Sequence, residues 1–142
     1  MPTKLTTTVK KINLISNKKN SYLISKFHEF MKSNDASERH QNNNLKAVIA
    51  FGNFLGEKDF SEIDTSDEVI SFLNTKIKTQ EDDPQKKWIT TWDDYLHRIK
   101  HFLRWLHNIG TANSGTVVPM EEWNTPPFLK IKEKSTKRNK IV

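Results

Sequence analysis

The chain has 142 residues, 35% of them hydrophobic, with four Gly, five Pro and no Cys, a composition that fits one ordinary globular domain rather than a disordered chain. Without cysteine there is no disulfide framework, no thiolate nucleophile and no Cys-based zinc site, and no apolar run approaches the ~20 residues of a membrane span. The formal net charge of +6 is segregated: residues 1–20 carry five Lys and no acid, and residues 130–142 are equally basic, so the stretch between them is acidic overall.

Residues 1–17, rich in Thr, Lys and Asn around VKKINLI, are expected to form a flexible arm with at most a weak extended or helical segment. From about Lys18 to Asn34, Tyr22, Leu23, Phe27, Phe30 and Met31 follow helical spacing and define a first helix. Ser37 is the N-cap expected for a second, with Gly56 as its stop. That helix has Leu45, Val48, Ile49, Phe51 and Leu55 on its apolar side. Its opposite side shows Arg39, Asn42, Asn43, Lys46, Ala50 and Asn53 without a carboxylate. Such a surface suits DNA, since Asn offers paired contacts to adenine and Arg to guanine, although most helices also present a merely solvated polar face.

A third helix is expected from Thr65 to Lys78, with acids in its first turn and Val69, Ile70, Leu73 and Ile77 towards the core. The fourth and longest runs from Pro84 to Asn108. Trp88, Trp92, Tyr95, Leu96, Ile99, Phe102, Leu103 and Leu106 line one face, and Lys86, Lys87, Thr90, Asp94, His97, Arg98, His101 and Arg104 the other. Beyond Asn108 the run TANSGT reads as a linker, followed by a Pro-broken and finally basic tail.

These signals together resemble the N-terminal core-binding domain of tyrosine recombinases, the phage-integrase family. The second helix carries the resemblance at Ser37, Phe51, Phe54 and Leu55, with Ala36, His40 and Asn44 standing where the family has Leu, Thr and Tyr. The third carries it at Ile63, Thr65, Val69, Ile70 and Leu73. The fourth does so at Trp92, Tyr95, Leu96, Ile99, Phe102, Leu103, Trp105 and Leu106. The tail WNTPPFLKIKEKSTKR is similar to the interdomain linker of archaeal integrases.

The resemblance spans about residues 18–138 and implies an all-α, four-helix SAM-like domain over 18–108. Residues 109–142 would then be a basic linker to a catalytic domain that this chain lacks. It implies a clamp on double-stranded DNA, with Arg39, Asn42, Asn43 and Lys46 on one helix and Lys87, Thr90, Thr91 and Arg98 on another facing the duplex. Linker residues Lys130, Lys132, Lys134, Lys137 and Arg138 would touch phosphates. Other recombinase protomers would be partners in a synaptic assembly, the isolated chain being a cytoplasmic monomer without membrane association. It implies neither cofactor nor metal.

The family's Tyr nucleophile and its Arg, Lys and His-x-x-Arg partners have no counterpart here, so no catalysis is expected. Tyr22 and Tyr95 sit on apolar helix faces, and His97-Arg98-Ile99-Lys100 has no neighbouring nucleophile. His97 and His101 are spaced for zinc but lack a third strong ligand, and the acid pairs Asp82-Asp83 and Asp93-Asp94 suit helix capping better than acid/base work. Two rival classes are a protein-docking module built on exposed Trp105, Trp123 and Phe128, and a small helical DNA-binding regulator. The regulator is disfavoured by the long Gly56–Asp64 connection, which is no helix-turn-helix turn.

Overall fold

A computed structural model of the protein describes residues 4–110 and 119–135, and among these the structure is helical with no strand. The described residues form five α-helices: α1 (Leu5–Ile12), α2 (Lys18–Ser33), α3 (Glu38–Leu55), α4 (Asp67–Asn74) and α5 (Trp88–Trp105).

The first of these occupies the expected flexible arm. Leu5, Val9 and Ile12 are spaced for one face of a short helix, and Ile12 and Ile15 are buried in the common core. Eight residues do not hold a helix in water alone, so α1 owes its stability to packing against α3 and α2. The turn into α2 is held by Asn17, whose carbonyl oxygen accepts from Lys19 and Asn20 N–H while its amide donates to the Glu57 carbonyl (2.8 Å).

The core centres on Phe27, which meets Phe102 edge-on at 5.1 Å and lies 5.4 Å from Trp105. Phe60 joins it from the α3–α4 connection, 4.8 Å from Phe102. Asn20 fixes that connection: buried on α2, it donates to the Lys58 carbonyl (2.9 Å) and accepts from Phe60 N–H (2.8 Å). At the end of α3, Gly56 takes φ 64, a left-handed conformation that other residues adopt only at a cost.

Several expected boundaries shift. α5 begins at Trp88 rather than at Pro84, because the Asp83 carboxylate accepts the Trp88 N–H (2.8 Å) and Lys86 has φ 53, outside the helical region. Its α-helical part, 18 residues long, spans about 27 Å and gives way at Leu106–Gly110 to wider π-type turns. α4 stops at Asn74, so Ile77 leaves the helical phase and is exposed rather than in the core. Tyr22, expected on an apolar face, is also exposed.

The largest departure concerns the segment expected to be a free linker. Residues 119–135 fold back along α5, burying Trp123 and Leu129. Asp93 accepts the Lys134 N–H (2.6 Å) and the Ser135 N–H (3.0 Å), Lys100 donates to the Ile131 carbonyl, and Asn108 and Asn124 exchange two hydrogen bonds. Burial works to raise the Asp93 pKa, but the hydrogen bonds from Lys134 and Ser135 outweigh it and hold the carboxyl below its ordinary value. Trp105 and Trp123 are therefore core residues, which removes the exposed aromatic surface of the docking-module reading.

Candidate nucleic-acid interface

The polar face of α3 begins where Ser37 accepts the His40 N–H (3.1 Å) and Gln41 ties the helix start to the Ala36 carbonyl and to His28 of α2. This fixes the roll of α3 on the core. Leu45, Val48 and Phe51 point inward, and Arg39, Asn43 and Lys46 fall within an arc of about 60° on the outer side. Ala50 and Asn53 extend the stripe, and no acid occurs between Arg39 and Gly56.

Asn42 and Asn44 leave this stripe in opposite directions. Asn42 turns to α1 and accepts a hydrogen bond from the buried Thr8 hydroxyl. Asn44 is buried towards α5, where its carbonyl oxygen accepts from Arg98 Nη1 (2.9 Å) and its amide donates to His40 (3.0 Å). Arg98 also donates from Nε to Asp94 (2.9 Å). Arg98, expected to face the duplex, is thus engaged as a fastener between α3 and α5.

The bond from Thr8 to Asn42 brings in residues that the sequence reading left out. Leu5 and Val9 lie on the core side of Thr8, so Lys4, Thr7 and Lys11, spaced three and four apart and exposed, fall on its outer side next to the α3 stripe. The signal was present as an amphipathic octet, but nothing in the sequence indicated which helix it would adjoin.

The remaining expected contacts do not gather on this surface. Lys87, Thr90 and Thr91 are exposed at the first turn of α5. Lys130 and Lys132 are exposed on the returning segment, and Lys134 lies over the Trp92 ring at 5.0 Å. That segment is held by Asp93 and Lys100, and Lys100 points about 160° away from Arg98 around α5. The lysines of the returning segment therefore flank α5 on the side opposite α3, so the expected single flank is divided. Lys137 and Arg138 lie outside the described residues.

No family model, curated protein or solved structure matches this chain. Its chemistry is read from its own residues. Among those described, no helix is long and apolar enough to cross a membrane and no cluster of three metal-ligating side chains occurs. His97 is engaged with Glu133, and His101 packs edge-on against Phe27 at 5.4 Å.

Between the end of α2, the start of α3 and the middle of α5 lies an open groove of about 530 Å³, with Phe30, Met31 and Met120 on its apolar side and His40, Arg98 and His101 on its polar side. The His101 imidazole is held below its usual pKa by burial and then by the charges of His40 and Arg104.

Proposed function

We propose that the chain binds double-stranded DNA through the outer face of α3 and the adjoining edge of α1, as the core-binding module of a tyrosine-recombinase-type protein. The observation that carries this reading is the acid-free stripe Arg39, Asn43, Lys46 and Asn53, bordered by Lys4 and Lys11. An α-helix fits the major groove of B-DNA, where Arg39 suits a guanine edge and Asn43 an adenine edge. Lys46, Lys4 and Lys11 suit the flanking phosphates, which contribute affinity and position without reading sequence. The recombinase assignment rests on the joint motif pattern from Ser37 to Leu106, and other recombinase protomers would be partners in a synaptic assembly.

With about three phosphates neutralised by lysine, binding should weaken with salt at a log–log slope near −3. Fluorescence anisotropy of a labelled duplex at low salt tests the reading. The double variant Arg39→Ala with Lys46→Ala is expected to weaken binding about 30-fold, a loss of roughly 2 kcal/mol. Equal affinity of wild type and variant would remove α3 as the reading helix.

A further inference from the structure

The groove between α2, α3 and α5 has a chemistry that duplex recognition does not use. Its volume of about 530 Å³ is that of a small-molecule site, and its walls are mostly apolar with a few converging polar groups. Phe30 and Met31 of α2 form one wall, Ala36 closes the end, and Met120 of the returning segment stands exposed at the rim.

The polar groups of the groove include unused donors. Arg98 gives Nε to Asp94 and Nη1 to Asn44, which leaves the donors of Nη2 free of these bonds. His40 receives the Asn44 amide on Nε2, so the proton of the neutral ring belongs on Nδ1, where it can be donated. The carboxylates nearby are engaged, Asp94 by Arg98 and Glu133 by His97. The ring nitrogens of His101 make no hydrogen bond among the described residues.

We propose that this groove binds a small aromatic anion, a carboxylate or phosphate monoester whose ring lies against Phe30, Met31 and Met120 while its head group meets Arg98 and His40. A cation would meet the Arg98 guanidinium, with which Asp94, the one carboxylate lining the groove, is already paired, and a purely apolar ligand would cover the Arg98 and His40 donors without giving them partners. The anion joins three elements through one contact set, so its binding also draws Met120 and the returning segment towards α2. His101 is faced by His40 from α3 and by Arg104 from α5, and Asp94, His97 and Arg98 of α5 line the same groove. An anion in the groove favours protonation of His101, whose imidazole burial holds below its usual pKa, and binding accordingly tightens as the pH falls.

The test is a titration of the full chain followed by NMR of the histidine rings and the arginine Nε–H, with phenyl phosphate, benzoate, benzyl alcohol and inorganic phosphate as probes. Phenyl phosphate, benzoate or both are expected to shift His40, His101 and Arg98 saturably, and to bind about tenfold more tightly than benzyl alcohol or inorganic phosphate. Whichever of the two aromatic anions binds more tightly names the head group. Arg98→Gln should weaken the complex by about tenfold. Because Arg98 also joins α3 to α5, Met120→Glu provides an independent variant: it places a carboxylate at an exposed rim position without touching the core and should weaken binding by about as much. Benzyl alcohol binding as tightly as the anions, inorganic phosphate binding as tightly as phenyl phosphate, or Met120→Glu leaving affinity unchanged would each overturn the proposal.

Discussion

Replacing Asp93 by Ala should loosen the whole returning segment, because its carboxylate receives the N–H groups of Lys134 (2.6 Å) and Ser135 (3.0 Å) across 41 and 42 residues of sequence. A hydrogen bond to a charged acceptor contributes about 1.5–3 kcal/mol, so losing two costs at least about 3 kcal/mol of docking free energy. Amide exchange at Leu129, whose N–H donates to the Pro126 carbonyl, reports on the segment without itself contacting Asp93. A 3 kcal/mol loss corresponds to exchange about 150-fold faster at that amide. The pH dependence carries the same information. The folded pKa of Asp93 is lowered, so its contribution is complete above the unfolded carboxyl value of ~3.9 and is lost as the pH falls through the lower folded value. Wild type should therefore release the segment in acid, whereas Asp93→Asn should have weakened docking already at neutral pH and a flatter acid limb. Unchanged exchange at Leu129 in Asp93→Ala would refute the idea that this carboxylate holds the segment down.

Two further substitutions probe the core that positions α3. Asn20→Ala strands the Lys58 carbonyl and the Phe60 N–H in a buried place and should cost about 2–4 kcal/mol in denaturant unfolding; a loss under about 0.5 kcal/mol would mean that this bridge does not hold the α3–α4 connection. Phe27→Ala removes the ring shared by Phe102 and Trp105 and should cost about 3–5 kcal/mol by the same measurement. A small effect there would show that the aromatic centre is not close-packed.

How far the sequence disclosed all this depended on whether a signal was local. α3 was legible because its cap, its stop and its apolar period lie within one stretch, from Ser37 to Gly56, and the structure places each where that stretch implies. α1 was not, although Leu5, Val9 and Ile12 show the right spacing, because an eight-residue helix gains its stability from a partner that the sequence does not name. The start of α5 was overrun because the apolar pattern says nothing of Asp83 capping Trp88. The paired prolines after Trp123 read as linker for the same reason: what holds that segment is Asp93, some forty residues earlier. Of the proposed interface, the stripe of Arg39, Asn43 and Lys46 came from periodicity alone. That Asn42 and Arg98 are turned inward, and that Lys4 and Lys11 join the stripe, depended on how helices pack, which a single sequence encodes only through distant contacts.

Chemical-shift mapping of the chain with a duplex of mixed sequence at low salt tests the functional account most directly. The account predicts perturbations concentrated at Arg39, Asn43 and Lys46 and at Lys4, Thr7 and Lys11, fading together as salt is raised. Shifts confined to Lys130 and Lys132, or centred on the acidic first turn of α4, would contradict it.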